Sequence, residues 1–63
     1  MYNKYINQIM LVTLDDGSQH KGLLKLAGIN PETREEYIEL HDGREVYHVS
    51  ADEIEKIELA ALN

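Results

Sequence analysis

Three histidines, His20, His41 and His48, are the side chains of this sequence best suited to metal binding or proton transfer. His41 and His48 fall on one face of an expected hairpin that turns at Asp42-Gly43. In that register His48 stands opposite Tyr37, four residues from His41. At about 3.3 Å per residue the two imidazoles lie on the order of 13 Å apart, too far to share one ion. Nucleophilic chemistry finds no better footing. Ser18 falls in a turn and Ser50 at a cap, whereas a triad needs nucleophile, base and orienter within reach. Glu35-Glu36 and Asp52-Glu53 read as solvated loop residues rather than acid–base pairs. The chain has no cysteine, which excludes disulfides and thiolate-held metal, and its four glycines are too dispersed for a phosphate loop. No catalytic, cofactor or metal site is expected, and the chain is not read as an enzyme.

Charge points elsewhere. Residues 1–31 carry a net +1, and residues 32–63 carry a net −7. Nucleic-acid affinity comes mainly from Lys and Arg neutralising phosphates, so an acidic half repels that polymer and attracts basic protein surfaces. The candidate protein-binding residues are Glu32, Glu35, Glu36, Glu39, Glu55 and Glu58. RNA is the alternative partner. Tyr37 and His48, cross-strand neighbours in the expected hairpin, have the ring chemistry to stack a base, and Tyr47 joins them as a candidate.

The elements that must carry these residues read mainly as strands. Ile9 to Leu14 is rich in β-branched residues and precedes Asp15-Asp16-Gly17. A three-residue loop with Gly17 left-handed sets Val12 opposite His20 and Met10 opposite Gly22, with Leu24 and Leu26 continuing the apolar face. Residues 28–34 read as a loop around Pro31, which donates no ladder bond. Residues 36–41 and 44–49 form the second hairpin, a type I′ candidate with Ile38 facing Tyr47 and Leu40 facing Glu45. Residues 2–8 are expected as a short helix, with Tyr2, Tyr5 and Ile6 or Ile9 on one face. Ser50-Ala51-Asp52-Glu53 forms a capping box, so residues 51–62 could be helical. A 3₁₀ step followed by a fifth strand is favoured, because four strands need a partner for their edges.

At 63 residues the chain is read as one domain over 1–63, with a thin core. Its composition is globular, at 43% hydrophobic and 29% charged. The longest apolar run, Ile9 to Val12, is far short of the roughly 20 residues of a membrane span. No basic and apolar leader opens the chain, so a cytoplasmic location without membrane contact is expected.

Five short antiparallel strands and an N-terminal helix make a small, strongly bent barrel. Val12-Thr13-Leu14-Asp15-Asp16-Gly17 followed by Lys21-Gly22-Leu23-Leu24 resembles the first Sm motif, in which a second glycine sits where a strand bends, and this resemblance implies an Sm-like/SH3-like barrel. The resemblance covers residues 1–59. Within that fold, Val46-Tyr47-His48 resembles the tyrosine-and-basic stretch of Hfq, which implies an RNA-binding oligomer. Glu35-Glu36-Tyr37-Ile38-Glu39-Leu40 and Asp52-Glu53-Ile54-Glu55-Lys56-Ile57-Glu58-Leu59 are similar to strands of the Rof family, small acidic proteins that bind the transcription terminator Rho. That resemblance implies a protein-binding regulator of transcription antitermination that blocks Rho's RNA-binding surface.

Overall fold

A computed structural model describes residues 2–60. Five strands form one antiparallel sheet: β1 (Ile9–Leu14), β2 (Gln19–Ile29), β3 (Glu36–Asp42), β4 (Glu45–Ser50) and β5 (Ile54–Leu59), in the order β4-β3-β2-β1-β5. The sheet is open, with β4 and β5 as its edges, where closure into a barrel was expected. Yet the edges are joined by a single 3₁₀ turn, Ala51–Glu53. A flat sheet of this order would hold them about 19 Å apart, four strand spacings. The link from Ser50 to Ile54 reaches at most about 15 Å, four peptide steps. The sheet must therefore curl.

The curl depends on β2. Its first half pairs with β1 and its second half with β3, the exchange falling at Leu23. Gly22 lies just before it, buried against β3. A Cβ there would sit 2.8 Å from the backbone carbonyl oxygen of His41. The missing side chain lets the two backbones approach, as the bend expected at this glycine requires.

The first hairpin has the expected register, with Met10 opposite Gly22 and Val12 opposite His20. Its loop is closed by Gly17 N–H donating to Leu14 O and Leu14 N–H donating to Ser18 O. Asp16 braces it by accepting from the Ser18 amide and hydroxyl. Beyond Leu24 the ladder slips, so that Lys25 and Leu26 together stand against Glu39. This bulge turns Leu26 outward and hands the inner face to Ala27, which corrects the expectation that Leu26 joins the core. β2 also runs through Gly28 and Ile29, which were expected in the loop.

The second hairpin differs from expectation by one step. Asp42 pairs with Glu45, so the turn is Gly43-Arg44. Gly43 has φ +63 and Arg44 is not among the positive-φ residues, which is the type II′ pattern rather than type I′. Ile38 then faces Val49, and Leu40 faces Tyr47 instead of Glu45. Matching apolar side chains outweighs setting Asp42 and Glu45 opposite each other, a like-charge pairing worth a few tenths of a kcal/mol, about the low end of cross-strand terms.

The inner face carries the core: Met10, Val12, Leu24, Ile38, Leu40 and Val49. Ile54 and Ile57 of β5 pack against it. The favoured 3₁₀ step and fifth strand are what residues 51–59 form, although Ser50 makes no side-chain cap bond. Residues 61–62 of the helical alternative lie outside the described residues. The expected N-terminal helix is cut to a 3₁₀ turn, Tyr2–Tyr5. Asn7 takes a left-handed conformation (φ 69) and its amide donates to Leu24 O, which ends the turn and ties residues 7–8 to β2. Tyr2, Tyr5 and Ile6 still pack against the core, whereas Ile9 faces out.

Gly22→Ala is expected to destabilise the fold by about 1–3 kcal/mol, because the new methyl meets a backbone atom that cannot rotate away. Denaturant midpoints measure it. A midpoint unchanged from wild type would mean that β2 and β3 do not approach at Gly22 as described.

Candidate functional site

The pleat decides which side chains are available. On the outer face, β3 presents Tyr37, Glu39 and His41, and β4 presents Val46, His48 and Ser50, the side opposite the buried Ile38, Leu40 and Val49. The register shift of the second hairpin matters here. Glu39, rather than Tyr37, stands opposite His48. Its carboxylate is held between two imidazoles, with His41 Nε2 2.9 Å from Oε1 and His48 Nε2 2.7 Å from Oε2. An ionised carboxylate only accepts, so each Nε2 carries the proton that bonds it. These bonds, His41 first and then His48, hold the Glu39 carboxyl below the usual carboxylate range. The 13 Å separation expected for His41 and His48 is thereby corrected: both reach one carboxylate. That carboxylate lies between them, and among the described residues no group of three His, Cys, Asp or Glu is arranged to hold a metal ion.

Tyr37 is placed by packing. It pairs with Gly28, and its ring lies over that residue's backbone, where a Cβ would fall 3.1 Å from the hydroxyl oxygen. His48 meets the Tyr37 ring edge-on, at a centroid separation of 6.5 Å. The two rings are therefore diagonal neighbours that share a wall. That wall borders a cleft of about 540 Å³ between the 30–35 loop and the ends of β3 and β4, lined also by Pro31, Thr33, Glu35 and Ser50. The loop is closed by its own backbone, with Asn30 N–H donating to Glu35 O and Arg34 N–H to Asn30 O. Asn30 also accepts from the Glu32 amide through its side chain. Glu32 and Glu35 are thus presented from a braced loop and are exposed.

The candidate acidic residues do not form one face. Glu36 has the inward parity of Ile38 and Leu40, at the mouth of the core, where its charge adds to burial in raising the Tyr2 phenol. Glu39 points outward. Glu55 is the extra residue of a β1–β5 bulge between Thr13 and Leu14. Glu58 faces out beside Leu11 and sits 3.8 Å from Lys56 Nζ. β2 and β1 lie between β3 and β5 in the sheet. The residues fall into a group at the cleft and a separate group on β5.

The RNA-binding candidates divide as well. Tyr47 faces inward, packs against the core, and stacks at 4.6 Å on His20, while its hydroxyl donates to Glu45. That hydrogen bond raises the Tyr47 phenol above its usual value. Tyr47 cannot share a base-stacking surface with the outward-facing Tyr37 and His48. The outer face also holds apolar side chains that the sequence reading did not place on a solvent surface: Ile9, Leu26 and Val46 are 48%, 41% and 47% exposed. Strict alternation marked Ile9 and Val46, but Leu26 is turned out by a bulge that alternation does not reveal.

Comparison with protein-family models, curated proteins and solved structures finds no match to this chain.

Because the folded pKa of Glu39 lies below its unfolded value, its bonds stabilise the fold above the ordinary carboxylate pKa of about 4.3 and lose that effect as pH falls through the folded value. Glu39→Gln should therefore melt below wild type at pH 6, and the difference should narrow as pH falls below the ordinary carboxylate pKa of about 4.3. Equal melting temperatures at pH 6 would contradict the bracketed carboxylate.

Proposed function

We propose that this chain is a protein-binding regulator that uses acidic surface to engage a basic, RNA-binding partner, in its sharpest form a Rof-like inhibitor of the termination factor Rho. The observation that carries the reading is the cleft wall formed by Glu35, Tyr37 and His48, with the imidazole-bracketed Glu39 beside it, opposite His48. Acceptors and a carboxylate there suit the lysines and arginines of a surface evolved to hold phosphate. The overall charge of −6 steers such a surface toward the chain. The Sm-like resemblance fits a curled five-stranded antiparallel sheet bent at Gly22. The RNA-binding reading has less support, since Tyr47 faces the core and few basic groups are available to release counterions.

Binding to Rho should weaken steeply between low and high ionic strength. Glu35→Lys with Glu39→Lys should slow association more than it speeds dissociation. Glu36 is left unchanged, because it has the core-facing parity. Surface plasmon resonance at two salt concentrations reads both effects. Salt-insensitive binding, or no binding to Rho at any salt, would overturn the proposal. Single-stranded RNA bound in the nanomolar range would favour the RNA-binding reading instead.

A further inference from the structure

Two imidazoles share one carboxylate, and one of them also lines the cleft. His48 donates through Nε2 to Glu39 Oε2 and forms part of the cleft wall with Tyr37 and Glu35, while His41 donates through Nε2 to Oε1. A ring that donates from Nε2 takes its second proton at Nδ1. Among the described residues no hydrogen bond engages either Nδ1. Protonation therefore keeps both bonds to Glu39 and turns each from a neutral hydrogen bond into an ion pair. The side chains of His48 and His41 are 65% and 37% exposed, so solvent exchanges protons with both. With neutral rings the three side chains together hold one negative charge. With both rings protonated they hold one positive charge.

The surroundings do not offset this reversal. Lys25 stands with Leu26 against Glu39 in the β2 bulge, and Lys21 has the outward parity of Leu23 on the same strand. Tyr37 meets His48 edge-on, and Glu35 and Glu36 line the cleft. Asp42, Arg44 and Glu45 lie at the turn beyond His41 and Val46. Lysine, arginine, tyrosine and carboxylate groups keep their charge from about pH 5.5 to 8, whereas imidazoles titrate there. The third histidine, His20, lies on the inner face against Tyr47. We propose that His48 and His41 form a proton gate on the cleft, holding a basic partner while the rings are neutral and releasing it as they are protonated. The inference rests on the basic-partner reading above and adds the regulation of that site. A cation docking at the wall meets two imidazolium charges where it had met the Glu39 carboxylate alone. Linkage makes the effect reciprocal, so a bound basic surface keeps the rings neutral to a lower pH than in the free chain.

Binding to Rho is measured at about pH 8 and about pH 5.5, for wild type and for His41→Gln with His48→Gln. Glutamine keeps an amide donor for Glu39 and does not titrate. Circular dichroism at both pH values reports folding. Wild type should bind about tenfold more weakly at the lower pH, and the double variant should change by less than about threefold. In parallel, NMR of the His48 ring should show it titrating at lower pH in the complex than in the free chain. Equal pH dependence in wild type and a folded double variant would overturn the gate and leave the basic-partner reading standing. So would loss of binding at the lower pH that coincides with unfolding of wild type. If the double variant does not fold, the His48 titration decides alone, and an unmoved midpoint in the complex overturns the gate. Wild type that fails to bind Rho at the higher pH overturns the basic-partner reading and the gate with it.

Discussion

The short link between β4 and β5 is the constraint from which the rest of the architecture follows. These strands are consecutive in the chain but occupy opposite edges of the sheet, and a three-residue 3₁₀ turn joins them. The sheet has to curl to bring its edges within that reach, and a curled sheet has a concave face that can enclose side chains without a second layer. Six residues fill it. The contact between His20 of β2 and Tyr47 of β4, on strands separated by β3, is the same curl seen from inside. Gly22 is where β2 yields, since a Cβ there would come within 2.8 Å of the His41 carbonyl oxygen. In a chain this short each such feature carries a large share of a small stability.

Curling also sorts the side chains into two populations with different roles. Inward residues hold the fold, and Tyr47 and His20 belong with them. Outward residues lie outside the core, and there Glu39, His41, His48 and Tyr37 share the face with Ile9, Leu23, Leu26 and Val46. Glu55 and Glu58 lie on the far edge, with Glu58 beside Lys56.

Much of this was legible before the fold was seen, for a physical reason that also explains the failures. The first hairpin could be read because competing registers put Val12 and Leu14 opposite different kinds of residue, so burial chose between them. In the second hairpin the two registers keep every side chain on the same face, and alternation cannot separate them. The choice lay in pairing Leu40 with Tyr47 rather than with Glu45, and a strong Asp-Gly turn signal masked it. The cost fell on the site, because that register decides whether His48 meets Glu39. The bulge that turns Leu26 outward and the left-handed Asn7 that stops the first turn are set by tertiary contacts with β3 and β2, which no local pattern encodes.

Backbone amide resonances test the account most directly, because they separate the cleft and its neighbours from the rest of the sheet. Rho is titrated into isotope-labelled protein. The account predicts that the amides of Glu35, Tyr37, Glu39 and His48 shift or broaden, while those of Met10, Val12 and the β5 residues stay in place. Perturbation confined to β5 or to the β1–β2 hairpin, with the cleft amides silent, would contradict it.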